Sequence, residues 1–287
     1  MKYMTKEWYE TMQRTDFHLL LEISQQAETF SESYFKMLYK CKEQEFVDRE
    51  KSVSQVRFED LYPEEFNTEH FDGLDLSTEQ IESMRNAYYE QRKQARKGFA
   101  DRHSFDEDVA KKNFRSALRH NIANLKKALP EEILQNVADI RVLALDVASA
   151  RVKKEIEHYC RQNERIVKQV QTAYWKQYKK MFKGNPPSFW EELRLHDCKL
   201  ASCRKKGNDV VLKIDPTHGI NKPDIRQVIL KDCTVLKQDT PLHGSFFLYD
   251  EIYRNGEQYE IHFLLAGKRL KDFIVCVRDV EIYSDVT

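Results

Sequence analysis

Apolar residues recur every three or four positions through the first two thirds of the chain, and about every second position in the last third. The first spacing lines one face of a helix; the second lines one face of a strand. From Met1 to about Ser54 the pattern is helical. Thr5 can cap a short first turn holding Trp8, Tyr9 and Met12, and Phe17, Leu20, Ile23, Ala27, Phe30, Tyr34, Met37 and Cys41 predict a longer helix behind it. Residues 55–76 have no clean period, contain Pro63, Gly73 and many acids, and read as an irregular connector. Ser77 and Gln80 have the spacing of a capping box, and Ile81, Met84, Tyr88, Ala95 and Phe99 predict the helix that follows, to about Arg102. Phe114, Leu118, Ile122, Leu125 and Leu129 mark another, stopped by Pro130. After a turn near Ala138-Asp139, Leu145, Val152, Ile156, Tyr159, Ile166, Val170, Tyr174 and Met181 predict one long helix to Phe182. Unbroken, it measures about 65 Å at 1.5 Å per residue. A charged helix of that length needs other helices or a partner to sheath it.

Gly184-Asn185-Pro186-Pro187 ends the helical texture, because Gly closes helices and two prolines cannot extend them. Six strands are predicted beyond it: His196–Lys205, Asp209–Asp215, Ile225–Lys237, Ser245–Arg254, Glu257–Leu265 and Leu270–Tyr283. Lys206-Gly207-Asn208 and Asn255-Gly256 are hairpin signals. The expected fold is α+β. An N-terminal helical bundle or arm with one long helix (1–184) precedes a small C-terminal antiparallel β-meander, a barrel or rolled sheet (188–287).

Charge changes this picture locally, not globally. The 47 Lys+Arg balance the 47 Asp+Glu, so no overall pull toward nucleic acid or an anionic membrane exists. Within the helices the charges segregate. Arg85 to Lys127 carries 12 basic against 5 acidic residues, Arg151 to Lys183 carries 10 against 3, and Glu43 to Glu82 carries 13 acidic against 3 basic. Tyr174, Trp175 and Tyr178 among the basic residues invite a nucleic-acid reading. Acidic and basic segments facing each other within the arm is the simpler account. Six cysteines are scattered without a CxxC pair, and the five-residue spacing of Cys198 and Cys203 does not suit a zinc knuckle. With no export signal at Met1 and no apolar run near the roughly 18 residues a span needs, the expected place is the cytoplasm, with the thiols reduced and mostly buried.

The chemistry-bearing candidates lie in the strands: His196, Asp197, Asp250, Glu251, Glu260 and His262. Imidazole and carboxylate together can bind zinc or manganese or transfer protons. A hydrogen-bonded network or a solvated sheet face explains the same residues. The metal-binding His-Asp motif of nucleotide phosphohydrolases lies on a helix and needs further spaced His and Asp residues, which the chain lacks. No glycine-rich phosphate loop and no GxSxG motif occurs among its eight glycines, and no cofactor is expected.

The opening Met1-Lys2-Tyr3-Met4-Thr5-Lys6-Glu7-Trp8-Tyr9-Glu10 resembles the start of a family of bacterial proteins, the domain of unknown function numbered 4085. Leu195-His196-Asp197-Cys198, Leu248-Tyr249-Asp250-Glu251-Ile252-Tyr253 and Tyr259-Glu260-Ile261-His262-Phe263-Leu264-Leu265 resemble its later blocks. That resemblance implies no activity, cofactor or catalytic residue. The β blocks are also similar to small toxin-immunity modules. The leading expectation is a non-enzymatic protein-interaction module of regulatory or immunity kind, bound to a protein partner mainly through residues 188–287. A metal-dependent enzyme and nucleic-acid binding through the basic helices are the alternatives. The long helix can pack intramolecularly or pair in a homodimer, and its stripe leaves both open.

Overall fold

The computed structural model describes residues 1–67, 76–102, 104–219 and 224–284. Residues 68–75, in the expected connector, lie outside that set. Along the chain run α1 (Lys6–Met12), β1 (Glu22–Ile23), a 3₁₀ turn (Gln25–Glu28), α2 (Glu32–Gln55), α3 (Phe58–Leu61) and α4 (Thr78–Ala100). Then come α5 (Glu107–Ala128), α6 (Glu131–Leu134), α7 (Ile140–Leu143), β2 (Val147–Ala148), α8 (Ala150–Phe182) and α9 (Ser188–Glu192). The last third holds β3 (Lys199–Lys206), β4 (Asp209–Asp215), β5 (Gln227–Lys231), β6 (Thr234–Gln238), β7 (Phe246–Asn255), β8 (Gln258–Ala266), β9 (Lys271–Val277) and β10 (Asp279–Tyr283). Two compact units result: 20–155, and 1–19 with 156–287.

In the first of these, Phe114, Leu118, Ala144 and Leu145 are buried against Phe35, Tyr39 and Phe46, with the Tyr39 and Phe114 rings 5.3 Å apart. Two predicted helices are interrupted here. The stripe from Phe17 to Phe30 is not helical: Glu22-Ile23 pairs in parallel with Val147-Ala148, and Leu20, Ile23 and Phe30 are exposed. Ser31 then starts α2 by accepting the Tyr34 N–H. The same pairing breaks the long helix. Asp146 adopts φ 63° after α7, so α8 begins only at Ala150, has 33 residues and is about 50 Å long. The Ser77–Gln80 capping box forms in both directions. Acidic and basic segments meet where Arg96 reaches Glu59 (3.3 Å) and where the Arg92 and Arg96 guanidinium groups lie over the Phe58 ring.

The second unit is built on an antiparallel eight-stranded sheet of order β10-β5-β4-β3-β7-β8-β9-β6. β4 shows why it forms: Val210, Leu212 and Ile214 are buried and the residues between them half-buried, the alternation of a pleated strand. Gly207 and Gly256, both at φ 62°, stand first in their two-residue hairpin loops, where a type II′ turn requires positive φ. Two predicted strands are each divided in two. Asp232 turns at φ 45° between β5 and β6, and Arg278 separates β9 from β10. The register is unchanged across both breaks, with Lys231 opposite Asp279 and Thr234 opposite Cys276. One bent pair of segments therefore serves both ends of the strand order, and the sheet is rolled, not flat. Its interior holds Leu200, Leu212, Leu230, Ile252, Ile261, Phe263, Phe273 and Val275.

On the outer face of β7, the buried Tyr174 of α8 accepts the Ile252 N–H through its hydroxyl at 3.1 Å. Tyr174→Phe should leave that buried donor unpaired and lower the unfolding free energy by about 1–2 kcal/mol, read from the urea midpoint. An unchanged midpoint would show that the bond is replaced.

Candidate functional site

A bulge at Leu248 sets the facing of everything after it on β7. Tyr249, Glu251 and Tyr253 then share a face with Glu260 and His262 of β8, while Asp250 and Ile252 point to the opposite, interior face. Three of the six candidates, Glu251, Glu260 and His262, are brought together. His196 and Asp197 form a separate exposed pair (Nδ1 to Oδ2, 3.3 Å), and the His196 ring meets the edge of Tyr249 at 5.4 Å. Asp250 stands apart.

Glu251 is 0% exposed. Its Oε2 accepts the Lys2 N–H at 2.8 Å and the Tyr253 hydroxyl at 2.7 Å, and its Oε1 accepts the N–H groups of Tyr3 (2.9 Å) and Met4. Three successive main-chain N–H groups thus wrap one carboxylate, the concave arrangement that binds anions. Burying a carboxyl group is costly unless its oxygens accept hydrogen bonds, and these four donors supply them. Burial pushes the Tyr253 hydroxyl well above its ordinary pKa, and the hydrogen bond to Glu251 adds to the effect, so it donates at every physiological pH.

His262 is 2% exposed. Its Nε2 lies 2.6 Å from Glu260 Oε1, and its Nδ1 lies 3.6 Å from Glu251 Oε2 without a hydrogen bond. Burial lowers its pKa against the opposing pull of Glu260, so the neutral ring prevails, and the carboxylate at Nε2 assigns the proton to that nitrogen. Glu260 also receives Lys2 Nζ at 3.0 Å. Burial alone would raise the Glu260 pKa, but hydrogen bonds from His262 and Lys2 outweigh it and hold the carboxyl ionised. The Lys2 ammonium lies 4.0 Å above the Tyr253 ring. A second set completes the attachment of the N-terminal segment: Lys6 Nζ reaches Asp239 (2.7 Å) and Asp272 (3.5 Å), Lys237 reaches Asp272 (2.6 Å), and Trp8 meets Tyr249 edge-on at 4.9 Å. Sequence reasoning missed Lys2, Tyr3 and Met4 because main-chain donors leave no residue-type signal.

Asp250 is half-buried in the apolar interior. Apart from its own main-chain N–H, its carboxyl has no partner among the described residues. Burial pushes it up to about 7, with the neighbouring Glu251 charge adding to the rise. All six cysteines are free, four of them buried. Burial pushes the Cys233 thiol up to about 12, with Cys203 and Cys276 nearby, so it stays protonated. Among the described residues, no group of three or more His, Cys, Asp and Glu side chains is arranged to hold a metal ion, and no helix is long and apolar enough to cross a membrane.

The arrangement is therefore a clasp: two carboxyl groups on one sheet face, Glu251 and Glu260, hold the segment that leads into α1. No curated protein and no solved structure matches the chain. The family described as "Protein of unknown function (DUF4085)" matches residues 90–277, a stretch that takes in Glu251, Glu260 and His262 but not Lys2–Met4. With about two thirds of its length matched, this chain belongs to the DUF4085 family.

Proposed function

We propose that the protein is a non-enzymatic interaction module whose β unit binds another protein. The observation that carries this reading is the saturation of Glu251: four donors already occupy its two oxygens, and it lies out of reach of solvent. A general base or metal ligand must present a free lone pair to its substrate or ion, and Glu251 has none to offer. His262 is buried beside it, and Glu260 is already engaged by the His262 ring and the Lys2 ammonium. These residues hold the fold, which leaves the exposed surface as the working part. That surface carries large apolar side chains in the β unit, Val235 and Leu236 among them. Aromatic and aliphatic groups of this kind are what binding surfaces use.

Native-state separation of an extract from the source cells tests the reading. The endogenous chain should run in a complex well above its own 34.2 kDa, and purified chain returned to the extract should enter the same complex. A chain that runs as a monomer in the extract, at every salt concentration, would overturn the proposal.

A further inference from the structure

The sheet order ends at β6, and that end differs from the other. α9 packs beside β10, whereas all five residues of β6 are exposed and the strand pairs with β9 on one side alone among the described residues. The outer N–H and C=O groups of such a strand are unpaired, a template for another strand. Val235 is 42% and Leu236 51% exposed on the same segment. Edge strands are commonly protected by proline or by an outward lysine. β6 contains no proline, and Lys237 is drawn back onto its own sheet by Asp272 at 2.6 Å. The remaining guard is a bulge between Val235 and Lys237.

The hairpin tip beside the start of this edge is basic. Cys233, which leads into β6, donates its N–H to Asn208 O at 2.7 Å, so the β3–β4 hairpin tip adjoins the start of the strand. Arg204, Lys205 and Lys206 approach that tip, all exposed and without an ion-pair partner among the described residues. Of the nearby acids, Asp209 is paired with Lys231 (2.7 Å) and Asp232 with Arg278 (3.1 Å), while Asp279 stands opposite Lys231.

We infer that β6 receives an extended acidic segment of a partner protein as an added strand. Main-chain hydrogen bonds to the β6 edge supply the pairing. The partner's acids meet Arg204, Lys205 and Lys206, and its alternate apolar side chains cover Val235 and Leu236. This rests on the interaction reading above and names the surface and the chemistry of the partner.

The test uses purified full-length protein and two labelled peptides, one of Glu-Val repeats and one of Lys-Val repeats. The Glu-Val peptide should bind about tenfold more tightly, with the difference shrinking as salt rises. Amide exchange at Thr234–Gln238 should slow when it is present. Leu236→Pro should abolish binding while preserving the fold, because Leu236 sits at the bulge, outside the ladder with β9. Arg204→Glu, Lys205→Glu and Lys206→Glu together should weaken binding about tenfold and decide the matter if the proline variant does not fold. Equal affinity for the two peptides, no binding of either, or unchanged β6 exchange would each overturn the inference. So would a protein that dimerises alone with its β6 amides protected. Such a failure beside an intact native complex would leave the interaction reading standing, whereas loss of that complex would remove both.

Discussion

Glu251→Gln should destabilise the protein by about 3–5 kcal/mol, the range for removing one member of a buried charged network. The side chain keeps its size but exchanges one acceptor oxygen for an NH₂ group. Lys2, Tyr3 and Met4 N–H and the Tyr253 hydroxyl all donate to this carboxylate, so a donor among them meets a donor wherever the amide is turned. The N–H groups cannot rotate away, and Lys2–Met4 can escape only by leaving the sheet face. Two readouts should move together: the urea midpoint falls, and amide exchange at Lys2–Met4 rises toward that of an open chain. A loss below about 1 kcal/mol, with the three amides still protected, would mean that the carboxylate is not what holds the segment.

Asp250→Asn should stabilise the protein, and more so as the pH rises. The Asp250 carboxyl titrates near 7 in the fold and near its ordinary 3.8 when unfolded. Between those values the native state holds a proton that the unfolded state has released, so wild-type stability falls as pH climbs from about 4 to about 7. Above 7 the whole cost is present. Below 4 both states are protonated and the cost vanishes. Asparagine does not titrate, so the two proteins should match near pH 4 and diverge above it. A shift of about three units corresponds to roughly 4 kcal/mol. Asp250 retains some access to water, so about 2 kcal/mol in favour of the variant at pH 8 is expected. Thermal melts of both proteins across that range would show it as a gap of several degrees, opening with pH. A gap that is constant with pH would place the Asp250 carboxyl in water.

These two neighbours show how one position along a strand changes a residue's chemistry. Sequence alternation alone places Asp250 and Glu251 on opposite faces. It does not say which face is the interior, because both carry tyrosines and aliphatics nearby. The bulge at Leu248 decides that, and no turn residue announces it. Glu260 and His262 were legible as a pair two apart on one strand; pairing around Asn255-Gly256 would put Glu251 near Tyr259 or Glu260, and it stands opposite His262 because the loop is Gly256-Glu257. His196 and Asp197 were adjacent in sequence yet stayed at the surface.

The helices divide in the same way. Ser77 with Gln80 was a local signal and held, because a cap is made within one turn. The stripe from Phe17 to Cys41 carried a helical period across a stretch that is only helical from Glu32. There, pairing of Glu22-Ile23 with Val147-Ala148, more than 120 positions away in the chain, overrides the local preference, and the same contact ends the upstream part of the long helix at Asp146. β4, the two glycine hairpins and the end of α8 before Gly184 were readable because each depends on residues within a few positions of itself. The division of the third and sixth predicted strands was not, since both bend where the sheet rolls to keep one register along two segments.

By itself, then, the sequence determined the class of the longer elements, though not of Glu22-Ile23 and Val147-Ala148, together with local caps and turns and which residues could carry charge on a strand. The tertiary structure alone decided that Glu251 is held by Lys2, Tyr3 and Met4, that Asp250 is desolvated, and that β6 is left as an open edge. The reason is physical. Periodicity and capping are short-range, whereas desolvation and hydrogen-bond saturation depend on what the fold brings from 247 to 249 residues away.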